Sequence, residues 1–143
     1  AIELLDHLEA AHKGSSLEDF FAELRRDVSA DRKELESLMI SLNVDQSSLR
    51  KASAWLTEKF TQLKLRLDDP SRGPLLLLES IEVISIGIEG KRLLWRALSA
   101  TAEEVPSFKA LDYESLIRRA EDQRNRVETV RLEVAMEALA LRH

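Results

Sequence analysis

The feature that most constrains this chain is a helical apolar rhythm with charged residues set inside it. On a wheel of about 3.6 residues per turn, Glu121, Arg124, Glu128 and Arg131 share a face with Tyr113, Ile117, Ala135 and Leu139. A strand would alternate with a period of two, so this stretch predicts a helix whose apolar stripe needs another helix to cover it. Ions drawn into such a contact are costly unless they are paired or hold a ligand. The spacing therefore predicts that these four charges face the interior of a bundle and compensate one another there.

Composition agrees with an all-α chain. Hydrophobic residues make up 44% and charged residues 33%, with only four Gly and three Pro among 143 residues. That is enough chain for one domain, residues 1–143, with its own core. The net charge of -5 and pI near 5.3 supply no basic field for phosphate backbones, so nucleic acid is not an expected partner. The absence of cysteine excludes disulfides, thiolate metal sites and cysteine nucleophiles. The most apolar run, 75–88, is interrupted by Glu79 and Glu82 and falls short of the roughly 20 residues of a membrane span. No membrane partner is expected. The opening Ala1-Ile2-Glu3-Leu4-Leu5-Asp6 is already in helical rhythm and lacks a basic leader, which predicts a cytoplasmic protein whose first helix can begin upstream.

Along the chain, a helix over 1–13 should stop at Gly14, with Ser15 or Ser16 capping a second over 16–42. The second stripe is Leu17, Phe20, Phe21, Leu24, Val28, Leu35, Leu38 and Leu42, with Asp31 inside its arc and Asp27 at its edge. A shorter helix is expected over 47–67 and a loop over 68–74. A long helix over 74–99 follows, carrying Glu79, Glu82 and Glu89 on one arc with Leu75, Ile86, Leu93 and Ala97. Its Gly87 and Gly90 suggest close packing or a kink. After the break at Pro106, a last helix is expected over 112–141. Two short turns and one long connection give two antiparallel hairpins joined by a crossover.

Bundle di-metal centres take one glutamate from each of two helices and Glu-x-x-His from each of the other two. Here the last helix carries Glu121-x-x-Arg124 and Glu128-x-x-Arg131. A guanidinium has only donors and cannot ligate a cation, but it bridges carboxylates. The expectation is therefore a buried network in which Arg124 and Arg131 pair with some of Asp27, Asp31, Glu82, Glu89, Glu121 and Glu128. No metal ligand, cofactor or catalytic residue is assigned, and the role expected is structural or protein-binding. Two other readings stand beside it. Asp31, Glu82, Glu89, Glu121 and Glu128 could hold a hard cation, or the arginines a small anionic ligand. His12 lies on the apolar side of the first helix, His7 on another face, and His143 is terminal. Neither a Gly-x-Ser-x-Gly turn nor a glycine-rich phosphate loop occurs. Trp55 and Trp95 read as packing residues, and Lys59, Lys64 and Arg66 as a solvated basic face. A homodimer is compatible with such a bundle.

Several segments also carry a resemblance. They are Glu3-Leu4-Leu5-Asp6-His7-Leu8, the stretch from Gly14 through Phe21, Asp27 with Asp31-Arg32, Ala54-Trp55-Leu56-Thr57-Glu58-Lys59, and the stretch from Gly90 through Leu98. Together they resemble a group of uncharacterised bacterial ferritin-like bundle proteins. The resemblance implies a ferritin-like antiparallel four-helix bundle with an additional helix in the crossover connection, and no activity.

Overall fold

The computed structural model of the protein describes residues 2–42, Glu58 and residues 73–140. Among them are four α-helices and no strand: α1 Ile2–Ala11, α2 Ser16–Leu42, α3 Gly73–Glu104 and α4 Tyr113–Ala140, with a 3-10 turn at Pro106–Phe108. The expected helix over 47–67, the loop before residue 73, Trp55 and the Lys59, Lys64, Arg66 group lie outside the described residues.

The turn between α1 and α2 follows from local chemistry. Gly14 takes φ 86°, a left-handed conformation that glycine adopts without steric cost. Ser15 caps α2, its hydroxyl accepting from Leu17 N–H at 3.3 Å, while Glu18 reaches back to accept from Gly14 N–H at 2.7 Å. At the other hairpin, Asp112 caps α4 by accepting from Ser115 N–H at 3.2 Å. α3 ends five residues later than the 74–99 expectation, and it runs through Gly87 and Gly90 without a break. A methyl group at Gly90 would meet open space, so close packing does not explain that glycine.

α1 pairs with α2 and α3 with α4, and the core between them falls into two clusters. The first takes Leu5 and Leu8 from α1, Phe21 and Leu24 from α2, Ile81 and Ile88 from α3, and Val127 and Val134 from α4. His12 borders it, its ring centroid 5.8 Å from that of Phe21, and burial lowers the histidine's pKa. The second cluster takes Leu38 from α2, Trp95 and Ala102 from α3, and Tyr113, Leu116 and Ala120 from α4. Tyr113 donates its hydroxyl to the Phe108 carbonyl at 2.6 Å, which ties the 3-10 turn to α4. No helix among the described residues is long and apolar enough to cross a membrane.

The inward face of α4 differs from the sequence expectation. Its buried residues are Tyr113, Leu116, Ala120, Gln123, Val127, Val134 and Ala138. That stripe is offset by one position, about 100° around the helix, from the one holding Glu121, Arg124, Glu128 and Arg131. Those four charges are only partly covered, and Leu139 is more than half exposed. The inward stripe is rich in Ala and Val, whose smaller side chains let the helices approach.

Candidate functional site

Where the two apolar clusters meet, each long helix contributes one polar residue to the interior. α2 places Asp31 between Leu24 and Leu38, α3 places Lys91 between Ile88 and Trp95, and α4 places Gln123 between Ala120 and Val127. One turn before Gln123, Arg119 reaches the same point. Asp31 and Gln123 are 2% and 0% exposed, so this is a polar layer through the middle of the core.

Asp31 organises the layer. Lys91 Nζ donates to its Oδ2 at 2.6 Å, and Gln123 Nε2 donates to the same oxygen at 3.1 Å. Arg119 Nε donates to Oδ1 at 2.8 Å, and its Nη2 makes a second bond to that oxygen. Both carboxylate oxygens thus accept twice, which fills the lone-pair directions of an ionised aspartate. Lys91 also donates to Gln123 Oε1, which closes the ring of contacts. Burial is the main cause that lowers the Lys91 pKa, and the Arg119 charge pushes the same way, while Asp31 opposes both. A second link between α2 and α4 lies at the edge of the layer, where Arg126 Nη2 donates to Asp27 Oδ2 at 2.7 Å. Arg126 also approaches Asp122 at 3.2 Å and Glu23 at 3.8 Å.

Of the residues expected in a buried network, only Asp31 is buried. Asp27 is half-buried on Arg126, and neither Arg124 nor Arg131 contacts either aspartate. Glu89, Glu121, Arg124, Glu128 and Arg131 are partly covered and Glu82 is exposed. They lie on the outer side of the α3–α4 hairpin, because the phase of α4 turns its Val and Ala stripe inward instead. There they form a ladder. Glu89 accepts from Arg92 at 2.6 and 3.0 Å and, across the seam, from Arg124 Nη1 at 3.3 Å. Glu128 accepts from Arg131 on its own helix twice at 2.7 Å. The field of Glu121 falls on Arg92 and that of Glu82 on Arg131. Hydrogen bonds from Arg92, and then from Arg124, draw the Glu89 pKa down to about 2.

The donors do not suit a metal. The interior layer offers one carboxylate and one neutral amide to two cationic side chains, which would repel an incoming cation. Of the outer glutamates Glu89 and Glu128 are engaged by arginines, and Asp31 lies on a different face from them. Among the described residues no group of three or more His, Asp or Glu converges on one point. Lys91, Arg119 and Gln123 are the residues that sequence reasoning missed. Their spacing carried a signal: Lys91 stands seven and three residues after Ile84 and Ile88 and four before Trp95, and Gln123 stands likewise among Leu116, Ala120 and Val127. Asp31 holds the same place among Leu24, Val28 and Leu35. Compared with protein-family models, curated proteins and solved structures, the chain matches none.

Proposed function

We propose that this protein is a non-catalytic interaction bundle of ferritin-like arrangement, in which a salt-bridged polar layer stands in place of a metal centre and the outer α3–α4 face docks another protein. The observation that carries the reading is the content of that face. Ile86 and Leu93 on α3 and Leu132, Met136 and Leu139 on α4 are each more than half exposed, beside the Glu89 and Glu128 ion pairs. Large exposed apolar side chains set among paired charges on one face are a feature of interaction surfaces. Two hairpins, joined by the long stretch between α2 and α3, support the ferritin-like arrangement. The polar layer supports a structural role for Asp31: one carboxylate satisfied by three helix-borne donors fixes the register of α2 against α3 and α4, as single buried polar residues do in coiled coils.

The test is site-specific photo-crosslinking in the cells that make the protein, with the reactive group placed at Leu132 and, as a control, at the exposed Arg26 of α2. Adducts that form from position 132 and not from position 26 are expected. If neither position yields an adduct, the interaction reading fails.

A further inference from the structure

We infer that the partner of the outer α3–α4 face is the same face of a second copy, related by a two-fold axis that runs parallel to the helices. This rests on the interaction reading above and adds the identity and geometry of the partner. The ground for it is the order of charges across the α3–α4 seam. One rung is an ion pair, Glu89 of α3 with Arg124 of α4 at 3.3 Å; by the same register Arg92 stands level with Glu121 and Glu82 with Arg131, opposite charges that act on each other at longer range. Stepping seven residues back along α3, from Glu89 to Glu82, corresponds to stepping seven forward along α4, from Arg124 to Arg131, as antiparallel helices require. Every rung holds opposite signs.

A two-fold axis parallel to the helices exchanges α3 and α4 without changing level. Glu82 of one copy then meets Arg131 of the second, Glu89 meets Arg124, and Arg92 meets Glu121. Glu82 and Glu121 each meet a second arginine and Glu89 a third, and opposite signs face each other on every rung, which is the complementarity an isologous contact needs. The apolar residues follow the same exchange. Leu132, Met136 and Leu139 of each copy lie over the part of the partner's α3 that precedes Ile86, and Ile86 and Leu93 lie over the first half of the partner's α4. The size of the face is adequate as well. Two helices of 32 and 28 residues present a surface about 40 Å long and about 20 Å wide, hence about 800 Å² per copy. A stable interface buries about that much on each partner.

Sedimentation analysis of the purified chain tests this, with three variants and one mixture. The expected result is a particle of about twice the 16.3 kDa chain mass. Met136→Asp, at an exposed position, should halve that mass with helix content unchanged. Arg124→Glu alone and Glu89→Arg alone should also be monomeric, since each would set like charges against each other twice. Their equimolar mixture should regain the double mass, because each protomer then meets opposite charge on the other. A wild-type chain that sediments as a monomer at its highest soluble concentration overturns the inference. So do charge-reversed variants that stay dimeric alone, or a mixture that stays monomeric. If the purified chain is monomeric but position 132 still gives adducts to another protein in cells, the second-copy inference fails and the interaction reading survives. A lack of any adduct would remove both.

Discussion

Asp31 and Glu89 each accept from two cationic side chains, one in the interior of the bundle and the other at its surface. Asp31 is 2% exposed, whereas the side chains of Glu89 and Arg124 are more than a third exposed. The outer ladder has more charges and two bidentate arginines, yet water can replace most of what it provides. The interior layer has a single carboxylate, and nothing can replace it. The comparison teaches that burial, and not the number or ideal geometry of ion pairs, sets how much of the fold depends on them.

The largest expected effect comes from removing the one interior anion. Asp31→Asn keeps the shape but leaves Lys91 and Arg119 without a counter-charge, and the Lys91 side chain is only 16% exposed. Breaking one partner of such a buried set should cost about 3–5 kcal/mol, read from the shift in urea midpoint. A loss below about 1 kcal/mol would put Asp31 on the level of a surface pair and erase the distinction.

Lys91→Met sharpens the comparison, because it removes a buried cation rather than the anion. Arg119 and Gln123 still satisfy Asp31, while Gln123 Oε1 loses the Lys91 donor, so the loss should be about 1–3 kcal/mol and less than that of Asp31→Asn. In the Asp31→Asn background the same change should instead restore stability, since it removes an orphaned ammonium; a double variant no more stable than Asp31→Asn would contradict this. pH gives an independent check. Folding lowers the Lys91 pKa below 10.5, so over that interval the unfolded chain binds more protons. The lysine's contribution therefore becomes more favourable as pH rises towards 10.5, and the stability difference between wild type and Lys91→Met should grow in that direction.

Much of the fold can be read from the sequence. α2 begins and ends where the Ser15 cap and the Leu17 to Leu42 stripe place it, and α4 lies within a residue of its expected bounds at each end. The rotation of α4 could not be read so easily. Its outer stripe contains Ile117 and Leu139 and the long aliphatic stems of two arginines, whereas its inner one is built on Ala120, Val127, Val134 and Ala138. By hydrophobicity alone the inner stripe, which carries no charged residue, is the stronger one; the regular spacing of Glu121, Arg124, Glu128 and Arg131 is what points to the outer stripe instead. Asp31 stood out as a charge on an apolar arc. Lys91 and Gln123 carried the same spacing signal, but their meeting with Asp31 could not be read, because Lys91 and Arg119 are 60 and 88 positions away and reach it only once the register of three helices is set.

The smallest expected effect lies in the ladder. In the Met136→Asp monomer, where the outer face is open, Glu89→Gln takes from the arginines a carboxylate that water and neighbouring Glu121 can partly replace, so at neutral pH the melting temperature should change far less than in Asp31→Asn. Its pH course is defined by the lowered pKa. Folding moves Glu89 from 4.5 to about 2, so the carboxylate stabilises the protein fully above 4.5, and that contribution is lost as pH falls towards 2. The difference that Glu89→Gln makes in that monomer should close over that window. It should also shrink in concentrated salt, where screening reaches about 3 Å at 1 M, while the Asp31→Asn deficit persists in larger part because Asp31 and Lys91 are covered, although Arg119 is more than a third exposed. In the wild-type chain the inferred second copy covers Glu89, so there the Glu89→Gln deficit should be larger and less sensitive to salt than in the Met136→Asp monomer; equal deficits in the two would mean that the face is open and would count against the second copy.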